Sequence, residues 1–234
     1  MAIMKEKIDY QRNQEKIQKH KDWIVKLESA LEKYDEHGIK NFVLEGRPST
    51  ELSDEKKFIE FEHESIIKLD TVLSENQRKK VFADCSCTYP KVKLDHIKQA
   101  FAETKDIKLV HKMLQEQFEK DIENVPFKEE MIEKNWGLAG ILENDKIIIT
   151  KIPKYPETYF SSDDLDEKRY AYCHCGRVRK QIREHKQSYS ETYCYCGAGY
   201  YKQIWEEILE KEVKIDLVET VLKGSSICKF VIIL

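Results

Sequence analysis

Six of the seven cysteines in this chain form three Cys-x-Cys pairs, Cys85/Cys87, Cys173/Cys175 and Cys194/Cys196, and only Cys228 stands apart. A thiolate is a soft ligand that selects zinc, copper(I) or an iron–sulfur cluster. The two later pairs could supply the four sulfurs of a tetrahedral zinc. The departure from the common pattern is the single-residue spacer: Cys-x-x-Cys lets both sulfurs reach one ion, whereas Cys-x-Cys closes a tighter ring and suits bridging two metals. Counting Cys85/Cys87, six paired thiols exceed one tetrahedral site. Three chemistries stay open. One zinc takes sulfurs from several pairs; an iron–sulfur cluster takes three or four cysteines; or one pair cycles between dithiol and disulfide. Zinc is the first expectation and the cluster its alternative, with all seven cysteines as candidate ligands.

Two histidines lie close enough in sequence to matter. His174 sits between Cys173 and Cys175, but strand alternation would turn it to the opposite face, so a half-exposed histidine is the plainer reading. His111 shares an apolar stripe with Ile107, Leu114 and Phe118, and is expected as a core residue before a ligand or base. Around the later pairs run Tyr170, Tyr172, Tyr189, Tyr193, Tyr195, Tyr200, Tyr201 and Trp205. Most are expected in the core. Tyr172, Tyr193, Tyr195 and Tyr200 are the candidates to line a pocket for a small-molecule ligand. Arg177, Arg179, Lys180 and Arg183 form a basic run that could hold a carboxylate or phosphate, although a solvated helix face is the simpler expectation. The sequence contains no Walker loop, G-x-G-x-x-G, G-x-S-x-G or H-E-x-x-H motif.

The elements that would position these groups follow from periodicity. The 234 residues suffice for one large domain or two small ones. Ile17, Ile24, Leu27, Leu31 and Tyr34 mark a helix stopped at His37-Gly38. Ser53-Asp54-Glu55 opens a second, and Ser74 to Gln77 matches a capping box that starts another near Glu75. Further helices are marked by Leu94, Ile97 and Phe101, by Ile107, Val110, Leu114 and Phe118, and by a short stretch after Pro126. From Trp136 the period changes. Gly137 to Ile152 reads as a hairpin turned at Asn144-Asp145. Residues 153–168 read as a polar mobile loop, Tyr170 to Cys175 as a strand, Arg177 to Lys186 as a basic helix and Gly199 to Glu210 as an amphipathic one. Val213–Leu222 and Ile227–Leu234 pair as a second hairpin around Gly224. The expected class is α+β: a helical region over 1–130, then a Cys-rich region over 131–234 with an antiparallel sheet and packed helices. Residues 85–130 are able to join that second region in one composite domain.

Composition narrows the partners. With 35% charged and 41% apolar residues the chain is not disordered, and its net charge of −3 gives no global field for nucleic acid. The N-terminus lacks the apolar core of a signal peptide, and no apolar stretch is long enough to span a bilayer. The expected location is the cytoplasm, without membrane or nucleic-acid partners, where thiols stay reduced and a disulfide framework is not expected. A small-molecule ligand is the partner looked for, and a homodimer is compatible with the sequence.

The C-terminal order of Cys194, Gly199-Tyr200, amphipathic helix, strand, Gly224 and Cys228-x-Phe230 resembles the vinyl-4-reductase domain family. Cys194 and Cys228 fall on its matching positions, and Thr220 stands where that family often has its other cysteine. The resemblance covers about the last forty residues well and the second half loosely. It implies an α+β small-molecule-binding module, often sensory and often metal-bearing, with Cys228 as a ligand instead of a core thiol. The whole chain, with CSCTYPK, WGLAG, YCHCG and YCYCGAGYYKQIWEEIL, is also similar to an uncharacterised Cys-rich bacterial family. The reading favoured on these grounds is a metal-thiolate small-molecule-binding or sensory protein. The alternative is a metalloenzyme, either a zinc hydrolase or an iron–sulfur or dithiol redox protein.

Overall fold

The computed structural model describes residues 2–34, 38–49, 51, 54–185 and 189–234. The chain divides into two compact units, Met1–Cys85 and Ser86–Leu234. Residues 86–130 therefore group with the sheet instead of with the N-terminal helices.

The first unit is helical: α1 (Ala2–Glu32), α2 (Ile39–Leu44), α3 (Glu55–Val72) and α4 (Glu75–Asp84). Ile17, Ile24, Leu27 and Leu31 are buried along one stripe of α1, against Phe58, Ile66 and Leu69 of α3 and Val81 and Phe82 of α4. Helix α1 ends at Glu32, before the expected stop; His37 lies outside the described residues, and Gly38 at φ 77 caps α2. Ser53 also lies outside them, so the observed cap of α3 is Asp54, which accepts from the Lys56 amide. The Ser74–Gln77 capping box forms in both directions. A buried Glu62 carboxylate is met by His20 Nδ1 at 2.8 Å across α1 and α3.

The second unit begins with α5 (Asp95–Thr104), α6 (Ile107–Asp121) and α7 (Lys128–Glu133), followed by β1 (Ile141–Glu143) and β2 (Lys146–Thr150). After them come α8 (Pro156–Ser161), α9 (Leu165–Tyr172), α10 (Gly176–Arg183), α11 (Tyr195–Leu209), β3 (Lys214–Glu219) and β4 (Lys229–Ile233). The strands form one antiparallel sheet in the order β1-β2-β4-β3. Strand alternation puts Ile147, Ile149, Phe230, Ile232 and Ile215 on its buried face. Helix α11 packs beside β3 with Ile204, Trp205 and Ile208 fully buried, and α5 packs on α11. Among the described residues no helix is long and apolar enough to cross a membrane.

The class is α+β, helical in the N-terminal half, as expected. Three local readings change. The first hairpin is shorter than expected because Gly137 (φ 116) and Gly140 (φ 62) bend the chain before β1 begins. The presumed loop at 153–168 is largely helical. Pro156 presets the first turn of α8, and the Asp164 side chain accepts from the Glu167 amide to start α9. Tyr170 to Cys175 is not a strand. Asp166 and Glu167 at the start of α9 and Arg169 at its end favour a helix, and Tyr172 is its last residue. The aromatic β-propensity of this stretch yields to capping and packing.

Candidate functional site: a cluster of five thiols

The correction at Tyr170–Cys175 decides how the cysteines meet. Cys173 caps the C-terminus of α9 and Cys175 sits at the N-cap of α10, so His174 alone links two helices. Cys194 ends a 3-10 turn over Glu191–Cys194, and Cys196 lies in the first turn of α11. Neither pair lies on the sheet. Cys228 precedes β4 and its carbonyl accepts from the Lys151 amide at 3.0 Å. Three stretches of chain, 173–175, 194–196 and the residue before β4, therefore bring Cys173, Cys175, Cys194, Cys196 and Cys228 to one region. Among the described residues every cysteine is a free thiol.

Mutual electrostatic influence links these sulfurs, with Cys175 acting on Cys173, Cys194 and Cys196. Cys194 also feels Cys228 and Cys173, and hydrogen-bonds the buried Thr220 hydroxyl. Cys196 also feels Cys87. Tyr193 lies against Cys175: its hydroxyl is 3.3 Å from Cys175 Sγ and accepts from Arg177 Nη1 at 3.2 Å. Lys151 lies alongside, its charge acting on Cys173, Cys196 and Cys228.

Burial governs the protonation of these sulfurs. Desolvation, then the neighbouring thiols, raises Cys173 and Cys194 well above the ordinary value of 9.0. Cys196 is pushed up to about 12, first by burial and then by Cys175. Cys228 is raised by burial, opposed by a backbone hydrogen bond from the Val221 side and by Lys151. Cys194 and Cys196 keep a little exposed surface, but enough protein surrounds each for burial to set the direction. In metal-free form these four are neutral thiols at pH 7 and weak nucleophiles.

Of the remaining cysteines, Cys85 belongs to the first unit, buried at the end of α4, with its amide donating to Val81. Cys87 is exposed in the second unit, and its carbonyl accepts from Gln203 Nε2 of α11 at 2.5 Å.

The four candidate pocket tyrosines have structural partners. Tyr172 is fully buried, with its hydroxyl in reach of the carbonyls of Lys151 and Cys228, which pins the Cys228 segment to the end of β2. Tyr193 is buried against Tyr189, with ring centroids 5.1 Å apart. Tyr195 donates to Asp216 on β3 at 3.2 Å. Tyr200 is half-buried, edge-on to Tyr89 at 6.0 Å.

His174 is turned from the thiols by the helical link, not by strand alternation. Its Nε2 is 3.0 Å from the Ile152 carbonyl. Surrounding protein, then Lys151, lowers its pKa to about 3, although the residue retains solvent contact. His111 stacks on Trp205 at 6.5 Å, and its Nε2 is 3.1 Å from the Gly140 carbonyl.

Sequence reasoning missed Lys151 as part of this site. A lysine closing an apolar strand is a common stop, and only the fold brings it among the sulfurs. Tyr193 and Arg177 were visible as an aromatic and a cation, but their shared contact at Cys175 depends on how α10 and the 3-10 turn meet.

Residues 150–234 match a family of unknown function, DUF6144. That stretch contains Lys151 and all five clustered cysteines but neither Cys85 nor Cys87. No curated protein matches the chain, and no solved structure does. The thiol cluster thus lies wholly inside the part of the chain that is similar to DUF6144.

Proposed function

We propose that this is a cytoplasmic metal-thiolate protein, holding zinc first among soft ions, in a small-molecule-binding or sensory role. The observation that carries the metal reading is the delivery of five free cysteines, buried or half-buried, from three stretches of chain to one region. Uncharged thiols buried together gain little from each other. A soft cation that displaces their protons turns the same arrangement into a set of strong ligands. Cys173, Cys194 and Cys228 with Cys175 or Cys196 would hold it, Tyr193 would donate a hydrogen bond to the Cys175 sulfur, and Lys151 would offset anionic charge. Among the described residues no three His, Cys, Asp or Glu side chains already converge on one ion position. Loading would therefore require the thiols to move from their positions in this structure. The ligand-binding and sensory part of the proposal rests on the likeness of the C-terminus to vinyl-4-reductase domains.

The fifth thiol favours a second reading. Four sulfurs saturate a structural zinc and equally an iron–sulfur cluster, so a fifth thiol in the same region suits a dithiol redox centre.

The test is metal analysis of protein purified anaerobically without a metal-affinity resin. A stoichiometric metal is expected, zinc before iron. It should be lost in Cys173→Ser/Cys175→Ser and in Cys194→Ser/Cys196→Ser, and kept in Cys85→Ser/Cys87→Ser. Metal-free protein that also fails to take up added zinc or cobalt, with all seven thiols freely titratable, would falsify the reading.

A further inference from the structure

Two arginines of the largely solvated basic run of α10 lie over aromatic rings. Arg183 lays its guanidinium 3.9 Å from the centre of the Tyr170 ring. Arg179 lies over two rings, Tyr155 at 5.2 Å and Tyr170 at 5.6 Å, and its Nη1 donates to the Tyr155 hydroxyl at 2.7 Å. The guanidinium reaches back toward Gly176, with Nη2 about a van der Waals contact from where a β-carbon there would stand. Lys154 precedes Tyr155, and its amide donates to the Tyr172 carbonyl, so the segment after β2 is fastened beside the end of α9. Three segments thus gather Lys154, Arg179 and Arg183 around two phenol rings.

None of these three cations forms an ion pair with any described residue. The neighbouring acids are engaged elsewhere: Asp166 with Arg169 at 2.7 Å and His185 at 3.5 Å, Glu184 with Lys180 at 3.9 Å. Two donors are also left over. Arg179 Nε is buried without an acceptor. The Tyr155 hydroxyl, which accepts from Arg179, keeps its own proton to donate, and Tyr155 is 42% exposed, so a ligand can reach it. A buried guanidinium N–H without an acceptor is costly unless something supplies one. A guanidinium fork, an ammonium and a phenol together match the oxygens of a tetrahedral oxyanion.

We propose that Lys154, Tyr155, Arg179 and Arg183 form an anion-binding site for a phosphate group, carried either free or as an aryl phosphomonoester. Tyr155 and Tyr170 give an aromatic ester a surface to stack on. Arg179 is the central donor because it alone lies over both rings; its Nε, buried and without an acceptor, would have to turn toward the ligand. The site uses none of the thiols, although α10 carries both Cys175 at its N-cap and Arg179.

The test is isothermal titration of inorganic phosphate and, separately, phenyl phosphate into the full chain. Chloride is used to match ionic strength, and each titration is run on chelator-treated and on zinc-supplemented protein. Saturable binding is expected in both preparations. Arg179→Gln and Arg183→Gln should each weaken it, Arg179→Gln by about tenfold or more, while Lys214→Gln on β3 leaves it unchanged. Arg179→Lys keeps the charge but loses the fork and should fall in between. Tighter phenyl phosphate would assign the site to an aryl ester, and equal affinity to the free ion. Absence of saturable binding by either ligand at 10 mM (on the order of a hundredfold above a useful affinity) overturns the proposal. So does binding that survives unchanged in both arginine-to-glutamine variants, whose folding is checked by circular dichroism.

Discussion

Raising the pH of metal-free, fully reduced protein through 9 should destabilise the second unit, first through its buried thiols. The cause is the burial of Cys173, Cys194, Cys196 and Cys228, each raised above its ordinary 9.0 in the folded state. A thiol whose folded pKa is raised contributes stability that is complete below the unfolded pKa and is lost as pH climbs toward the folded one. The window therefore opens near pH 9 and extends to about 12 for Cys196. At pH 9.5 an unfolded thiol of pKa 9.0 gains about 0.8 kcal/mol from ionisation that the buried thiol cannot follow. Four such groups give about 3 kcal/mol, and allowing for the solvent contact of Cys194 and Cys196 leaves about 2–3 kcal/mol. That is a sizeable part of the stability of an ordinary domain, about 5–15 kcal/mol. Urea unfolding at pH 8.0 and 9.5 with a phosphine reductant measures it. The Trp23→Phe background confines the fluorescence signal to Trp136 and Trp205, which both lie in the second unit. With zinc bound, sulfurs already deprotonated have no proton to lose, so the alkaline loss should shrink. A change below about 1 kcal/mol in metal-free protein over this interval would refute the picture of four neutral buried thiols.

Two further outcomes follow from local geometry. Thr220→Val should cost about 1–2 kcal/mol, because the buried hydroxyl serves Cys194 and also accepts from the Lys223 amide at 3.2 Å; Thr220→Ser should recover most of that in urea melts. Gly137→Ala should lower the second unit's stability by about 3 kcal/mol or more, since the residue holds φ 116 and a β-carbon would run into the Phe118 ring. A melting curve for Gly137→Ala matching that of the parent would show that Phe118 can move aside.

Legibility differed between helices, sheet and site for identifiable reasons. Apolar stripes at helical spacing located α1, α3, α5 and α6, because a helix that buries one face must carry that period. The Ser74–Gln77 cap was readable because both of its hydrogen bonds are local in sequence. The C-terminal hairpin was readable from its glycine turn, Gly224 at φ 92, although β3 stops at Glu219 and a 3-10 turn over Val221–Lys223 intervenes. The failure was at Tyr170–Cys175. The stretch reads as a strand when the segment before it reads as a loop, whereas Asp164 in that segment caps a helix. That one error put Cys173 and Cys175 on a strand and assigned His174 to a face by alternation.

The helical placement changes what a one-residue spacer means. On a strand, both sulfurs of Cys-x-Cys would share a face and compete for one ion. At the junction of α9 and α10 they straddle a helix end and a helix start, and Cys194 and Cys196 straddle a 3-10 turn and α11. How each pair meets the other thiols follows from those boundaries, not from the spacing itself. It also explains why Lys151 and Thr220 escaped notice. Their roles exist only where the end of β2 and the turn before β4 come together, held by the Tyr172 hydroxyl between the carbonyls of Lys151 and Cys228. A contact of that kind joins residues more than fifty positions apart, and no local pattern encodes it. The cysteines announced the chemistry, while the groups that tune it are legible only once the chain has folded.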